Sequence, residues 1–218
     1  MARQLRWPPD VAEFNGLRLP AVQILLPERW WNLRWVAHLT PAIVFQASKT
    51  GRLTPEDGTV KCLYLAAQET TSFYEIYRDD IALAKESGTS PVLSKQEMVD
   101  RVFATTPAGL AFKVYDLTTE GSAKGIGMDL ATLYTGEVER PRRFAQRLHG
   151  HPEKFDGVRY ISRHTQGPCI VLWPTYTPTL ANMVLTRHST LWDHATYANA
   201  TPAGLVRLFD DDVGVAAP

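Results

Sequence analysis

The spacing of apolar residues changes along one stretch of the chain, from Lys61 to Asp80. The first part of this stretch, Cys62-Leu63-Tyr64-Leu65, is a short continuous run of strand-forming residues. The second part has apolar residues at three- and four-residue steps: Phe73, Tyr77, Ile81 and Ala84. A short apolar run is typical of a buried strand, and the later spacing is typical of one face of an amphipathic helix. The pattern therefore predicts a strand from Val60, followed by a helix from about Thr70 to near Gly88.

The same reasoning predicts further strands and helices, joined by turns rich in glycine and proline. The expected strands are residues 33–38, 110–117, 157–163 and 168–173, the last two as a hairpin, and a strand or short helix ends at Phe45. The expected helices are residues 94–103, opened by a capping box at Ser94 and Glu97, and residues 129–134 and 140–149. Residues 121–127, GSAKGIG, lack the P-loop pattern, so we expect a flexible turn there.

Length and composition indicate one globular domain. The 218 residues are 44% hydrophobic and 21% charged, which is ordinary for a globular protein. The mixture of strands and helices predicts an α/β (α+β) fold whose mixed sheet is largely antiparallel. Four prolines within residues 1–28 favour an N-terminal arm over a strand of the central sheet. We expect the main domain to cover residues 29–174, with a C-terminal extension, residues 175–218, packed on it.

Charge and cysteine content narrow the classes of partner. The 23 acidic and 23 basic residues balance, so we expect no direct binding of nucleic acid, which needs a surplus of Lys and Arg on one face. Cys62 and Cys169 lie in apolar runs, which favours buried, reduced thiols. No apolar run is long enough for a signal peptide or a membrane span. We expect a cytoplasmic protein that does not bind a membrane.

Two common kinds of catalytic site have no support in the sequence. The six histidines show no HExxH spacing and the two cysteines form no CxxC pair, so we expect no metal. A nucleophilic triad has no support either, because no G-x-S-x-G motif occurs.

The pattern around Glu75 fits two interpretations. Ser72-Phe73-Tyr74-Glu75 matches the capping box S-x-x-E, in which Glu75 would only complete a helix start. Ligands in mixed α/β folds, however, gather where strands end and helices begin, and Tyr64 and Glu75 lie on either side of such a break. The local sequence leaves both interpretations open.

Several motifs together resemble the RES domain, a family named for its Arg, Glu and Ser. In chain order they are Arg34 in LRWVAHL, Phe45, Gly51-Arg52-Leu53, Tyr64, Glu75 eleven positions later, and the run Asp156-Gly157…Tyr160-Ile161-Ser162-Arg163. The resemblance covers about Arg34 to Trp173. The sequence departs from the family at Leu53, where Trp or Phe is usual.

The resemblance implies an ADP-ribosyltransferase-like fold that takes NAD as a substrate and cleaves its nicotinamide–ribose bond. The family comprises toxins of RES–Xre toxin–antitoxin pairs, which destroy NAD, with water or phosphate as acceptor, or attach ADP-ribose to a protein. It implies an Xre-type antitoxin with a helix-turn-helix that covers the site, with Trp30, Trp31, Trp192 and the C-terminal segment as candidate docking surface. The alternative functions are a non-catalytic NAD- or nucleotide-binding regulatory protein and a purely structural partner.

The chemistry of NAD cleavage suggests a role for each residue of the predicted site. The carboxylate of Glu75 would stabilise the cation that forms on the ribose as nicotinamide leaves. Arg34 would bind the diphosphate, because a guanidinium contacts two oxygens at once, and Arg52 is the competing choice. Tyr64 would stack on the nicotinamide ring, and Ser162 would hydrogen-bond the ribose or the carboxamide.

Overall fold

The computed structural model describes residues 10–19, 21–25, 29–40, 45–47, 51–126, 138–177, 180, 182–197 and 205–216. The strands in these ranges are β1 (Ala21–Leu25), β2 (Trp31–Trp35), β3 (Gln46–Ala47), β4 (Lys61–Ala66), β5 (Val92–Ser94), β6 (Arg101–Thr105), β7 (Ala111–Asp116), β8 (Gly157–Ile161), β9 (Pro168–Leu172), β10 (Thr186–Thr190), β11 (Ala195–Tyr197), β12 (Leu205–Leu208) and β13 (Asp211–Ala216). The α-helices are α1 (Val11–Asn15), α2 (Glu69–Glu86), α3 (Lys95–Asp100), α4 (Glu120–Gly125) and α5 (Glu139–His149).

The strands form two sheets. The larger sheet has the order β1-β7-β8-β9-β4-β2-β6-β10, with β3 paired to β4, and β7 and β8 are its parallel neighbours. The smaller sheet has the order β11-β12-β13-β5, in which β13 and β5 run parallel. The other described pairs are antiparallel, so the predicted mixed, largely antiparallel α/β fold is confirmed.

Helix α2 packs between the two sheets. Its buried side chains Phe73, Tyr77 and Ile81 belong to one apolar cluster with Phe103 of β6 and Val206 of β12. These are the positions that recur at three- and four-residue steps in the sequence, and burying each such side chain contributes about 1.5–3 kcal/mol relative to leaving it exposed. The predicted strand and helix of this stretch are confirmed, and the opposite face of α2 is left for the site.

Four other predicted elements are also confirmed. The hairpin of β8 and β9, strand β7 and helix α5 begin and end within two residues of the predicted bounds. Cys62 and Cys169 are buried and unpaired with each other. The predicted helix at residues 129–134 lies outside the described residues.

The N-terminal arm was predicted to lie outside the central sheet, and this was wrong. Residues Ala21–Leu25 form β1, which pairs with β7 at the edge of the larger sheet. An edge strand tolerates nearby prolines because one side of its backbone has no strand partner. The C-terminal extension contributes β10 to the larger sheet and β11, β12 and β13 to the smaller one. The division of the chain at residues 28 and 174 stays a prediction.

Three predicted element types or bounds were wrong. The first strand is shifted to Trp31–Trp35, and Val36–His38 forms a 3₁₀ helix. Ser94 caps α3 as predicted, with its Oγ 2.9 Å from the Glu97 amide, but the helix ends at Asp100. Residues Arg101–Thr105 form β6 instead, which pairs with β2 and β10 and has buried apolar side chains. The glycine-rich segment expected to be a flexible turn lies largely within α4.

Candidate active site

The larger sheet opens between β2 and β4. Within the described residues these strands pair at a single position, Trp31 with Ala66. Further along, the Asn32 side chain bridges them, because its Nδ2 donates to the Tyr64 carbonyl oxygen at 2.7 Å. A cavity of about 400 Å³ lies beside this opening. That volume is within the roughly 300–1,000 Å³ of small-molecule sites.

Five parts of the chain line the cavity. They are Asn32 of β2, Gly51–Leu53 of the loop before β4, Tyr64–Ala66 of β4, Ser72, Glu75 and Ile76 of α2, and Tyr160, Ile161, Arg163 and His164 at the end of β8 and in the following turn. The fold therefore brings Arg52, Tyr64 and Glu75 of the predicted site together in one cavity.

The carboxylate of Glu75 is held by two hydroxyl groups. The Tyr160 hydroxyl donates to Oε2 at 2.9 Å, and the Ser162 hydroxyl donates to Oε1 at 2.6 Å. Burial raises the pKa of Tyr160 well above its ordinary value, so this phenol keeps its proton and can donate. Both carboxylate oxygens thus have fixed positions at the cavity wall.

Ser162 lies behind Glu75 and not on the cavity surface. Its side chain is fully buried, and its Oγ also accepts from the backbone N–H groups of His164 and Thr165 at 3.2 and 3.4 Å. The predicted contact of Ser162 with the substrate stays a prediction, because none of the described contacts tests it. The described contacts make Ser162 a support for Glu75.

The capping-box interpretation of Glu75 was wrong. Helix α2 begins at Glu69, one turn before the predicted cap, and Ser72 lies inside it. The Ser72 Oγ accepts a hydrogen bond from the Leu33 amide at 2.7 Å, which links α2 to β2. Glu75 is therefore free of any capping role and points its carboxylate at β8.

The hydroxyl of Tyr64 binds the loop that carries Arg52. It accepts from the Leu53 amide at 3.2 Å and lies 3.1 Å from the Thr54 hydroxyl. A Cβ at Gly51 would collide with the Tyr64 hydroxyl and come within 2.5 Å of Thr54 Oγ1, so the close approach requires glycine. Burial raises the pKa of Tyr64, which therefore stays protonated. The hydroxyl positions the loop, and the residue also lines the cavity.

The two predicted arginines lie in different places. Arg52 lines the cavity that contains Glu75. Arg34 is buried, and burial lowers its pKa to about 10. It lines a neighbouring cavity of about 390 Å³, which shares Asn32 and Tyr64 with the first. Of the two competing arginines, Arg52 is the one in the same cavity as Glu75.

Several lining residues were not predicted. Tyr160 could have been found, because it lies two positions before Ser162 in a strand and so projects from the same face. Asn32, Arg163 and His164 contribute to the cavity through the strand opening and the turn after β8, which have no pattern of their own in the sequence.

In the part of the chain that the structure describes, no three His, Cys, Asp or Glu side chains are grouped so that they could hold a metal ion. None of the helices in these ranges has the length and apolar character needed to cross a bilayer.

A family model described as the RES domain matches residues 28–194. The chain belongs to the RES domain family. This confirms the resemblance found in the sequence, and the RES match extends beyond Trp173, through β10 to the 3₁₀ helix at Trp192–His194. All the predicted site residues lie within it.

One solved structure resembles the RES domain protein at low sequence identity. It is titled as the crystal structure of the M. tuberculosis MbcT–MbcA toxin–antitoxin complex, and the identity is 17% with a TM-score of 0.48. The match covers 77% of this chain and 84% of that chain. No curated protein matches the sequence.

Proposed function

We propose that this RES domain protein is the toxin of a toxin–antitoxin pair and consumes NAD by cleaving the nicotinamide–ribose bond. The observation that carries the proposal is the carboxylate of Glu75. It is fixed by two hydroxyl groups at the wall of a cavity that Arg52 and Tyr64 also line.

The cavity offers complementary groups to the nicotinamide half of NAD. Arg52 supplies a cation for the diphosphate, and the Tyr64 residue supplies an aromatic group for the positively charged nicotinamide. Glu75 would then face the ribose carbon from which nicotinamide leaves, and it could accept a hydrogen bond from the 2′-hydroxyl. The substrate would be held across the opening between β2 and β4.

The reaction needs stabilisation of positive charge more than it needs an acid. Nicotinamide is already cationic in NAD and leaves as a neutral molecule, so charge develops on the ribose as an oxocarbenium-like ion. A carboxylate about 4 Å away, at an effective dielectric near 20, contributes about 4 kcal/mol. If that gain is confined to the transition state, the rate rises about a thousandfold.

The acceptor of ADP-ribose decides between glycohydrolase and transferase activity. Water or phosphate as acceptor would deplete NAD, and a protein acceptor would receive ADP-ribose; each outcome would arrest growth.

A cytoplasmic antitoxin of Xre type, with a helix-turn-helix, would cover the cavity and inhibit the toxin. Trp30 is excluded as a docking residue because only 3% of it is exposed, whereas Trp31 and Trp192 are partly exposed candidates.

The test is nicotinamide release by the purified protein. We expect Glu75→Gln to lower kcat by about 10²–10³-fold, since it removes the charge but keeps the size of the side chain. Glu86→Gln, at the exposed far end of α2, is the matched control and should cleave NAD as the unchanged protein does. Expression of the protein alone should lower cellular NAD and stop growth, and Glu75→Gln should relieve both effects.

Labelled NAD separates the remaining outcomes. Label on a cell protein indicates transfer, and free ADP-ribose or its phosphorylated form indicates the other acceptors. Saturable NAD binding without nicotinamide release would refute the enzyme and favour a nucleotide-binding regulatory protein.

A further inference from the structure

The turn between β8 and β9 is fastened to α2 at three successive helical turns. The pairs are Thr71 with Thr165, whose hydroxyls lie 2.9 Å apart, Glu75 with Ser162 at 2.6 Å, and Asp79 with Arg163 in an ion pair. The three helix residues are spaced by four positions and so share one face of α2. The turn is therefore a fixed wall of the cavity, and two of its side chains, Arg163 and His164, line it.

The guanidinium of Arg163 is oriented by two neighbours. Its Nη2 donates to a carboxylate oxygen of Asp79, and its Nε donates to His164 Nε2 at 3.1 Å. Burial and the nearby Arg163 lower the pKa of His164, which favours the neutral ring that accepts this hydrogen bond. The Arg163 side chain is still 29% exposed. It is thus held in place at the cavity while part of it remains accessible.

Arg163 gives the cavity a second positive charge. Arg52 lines the same cavity, and besides burial the charge of Arg163 lowers the pKa of Arg52, which indicates that the two guanidinium groups are close enough to repel each other. Two arginines therefore face one carboxylate, Glu75, among the charged lining residues. Converging cations in a partly enclosed cleft favour a ligand with more than one negative charge.

We propose that Arg163 is a second anion-binding residue of this cavity, that it binds the diphosphate of the dinucleotide together with Arg52, and that Asp79 is its positioning residue. The identity of the ligand rests on the proposed function. The diphosphate bridge of a dinucleotide carries one negative charge on each phosphate, and each guanidinium can contact two oxygens, so the charges and donors match. Asp79 is 70% exposed and lies one helical turn beyond Glu75, so it can orient Arg163 without closing the cavity.

The test uses ADP, which has the diphosphate and lacks nicotinamide. Calorimetric titration of the intact protein should show that Arg163→Gln weakens ADP binding at least tenfold, as expected for loss of a charge-assisted hydrogen bond. The KM for NAD should rise by a similar factor and by more than any fall in kcat. Arg143→Gln is the matched control, because Arg143 also pairs with a carboxylate, that of Glu56, but does not line this cavity, and its ADP affinity should not change.

The positioning role of Asp79 is tested separately, with two variants of that residue. We expect Asp79→Asn to weaken ADP binding about two- to fivefold, and Asp79→Glu to restore most of the affinity, because only the latter keeps the charge. If Arg163→Gln lowers the melting temperature but binds ADP like the unchanged protein, Arg163 only fastens the turn to α2 and the inference is overturned. Absence of ADP binding by the unchanged protein also overturns it. Tight ADP binding without NAD cleavage would instead refute the proposed function, but it would still support the anion-binding site.

Discussion

Glu75 depends in part on Ser162, a side chain that does not reach the cavity surface itself. Ser162 donates to one of its carboxylate oxygens and at the same time accepts from two backbone amides of the following turn. A carboxylate that must face a developing cation loses effect when it can rotate, since the orientation has then to be regained in each reaction cycle. At the scale of single residues, support of Glu75 is therefore as important as its charge.

We predict that Ser162→Ala lowers kcat for nicotinamide release about tenfold or more and leaves KM nearly unchanged, because Ser162 is buried and does not line the cavity. Stability should also fall by about 1–3 kcal/mol, since buried donors lose their acceptor. Ser189→Ala is the control: its hydroxyl lies 2.8 Å from His194 Nε2, and it does not line the cavity. That variant should keep kcat. A rise in KM alone for Ser162→Ala would contradict the supporting role.

The sequence predicted which residues lie at or near the site better than it predicted which of them line the cavity. Glu75, Tyr64 and Arg52 share one cavity, whereas Arg34 lines the neighbouring cavity and Ser162 lies in a second layer. Strand alternation tells which face a residue is on, but not whether another side chain stands in front of it. The depth of Ser162 depends on how closely α2 approaches β8, which is a property of packing and not of local pattern.

At the scale of elements, the close approach of β8 and β9 is set by a glycine. A Cβ on Gly157 would overlap the carbonyl oxygen of Val171 in β9. Gly157 also pairs with Val114 of β7 on its other side, so its strand has neighbours on both edges and cannot move away. Since β8 carries Tyr160 toward Glu75, the glycine helps to keep the strand in register with the site.

We predict opposite effects for two glycine-to-alanine changes. Gly157→Ala should lower the free energy of unfolding by about 1–3 kcal/mol through overpacking. Gly121→Ala should raise it by about 0.5–1 kcal/mol, because Gly121 lies in α4 with no neighbouring atom within 4 Å of the added carbon. Urea unfolding of both variants checks this. Equal stability of the two would show that the strands can separate to admit a methyl group.

The errors at this scale have a common origin. The capping box at Ser94 correctly marked the start of α3, but a start signal contains no information on length, and Val102 and Phe103 were assigned to the helix. These residues form β6 because β2 and β10 pair with its backbone, one on each side. Strand β1 was missed for the same reason, since its pairing with β7 is nonlocal. The prediction of α2 was correct because apolar residues recur at three- and four-residue steps along much of its length, and this repeat is visible in the sequence.

At the scale of the whole molecule, the C-terminal segment supports the helix that carries Glu75. The smaller sheet packs against the apolar side of α2, and Asp211 of β13 forms ion pairs with Arg78, at 2.9 Å, and with Lys85 of the same helix. Arg78 is three positions from Glu75, so the contact lies about one turn from the site. The extension predicted to pack on the main domain thus bears on the orientation of α2.

We predict that Asp211→Ala lowers the free energy of unfolding by about 1–2 kcal/mol at pH 7. The expected loss of stability is modest because the side chains of Arg78 and Lys85 are 39% and 51% exposed, and water weakens the attraction of exposed ion pairs. Asp212→Ala is the control, since Asp212 is exposed and its ion pair with Arg207 involves two exposed side chains; we expect a change within about 0.5 kcal/mol.

The effect of Asp211 should depend on pH in a defined direction. Burial opposes ionisation of Asp211, but the hydrogen bonds from Lys85 and Tyr74 and the charges of Lys85 and Arg78 outweigh it and lower its pKa below 3.8. The folded protein therefore holds this proton less tightly than the unfolded chain, so the contribution to stability is complete above about pH 3.8 and disappears as the pH falls through the lowered value. Unfolding measured from pH 7 toward pH 3 should show the difference between the unchanged protein and Asp211→Ala shrinking only at the acid end. A difference that is constant over this range would mean that packing of the Asp211 side chain, and not its charge, holds α2 against the smaller sheet.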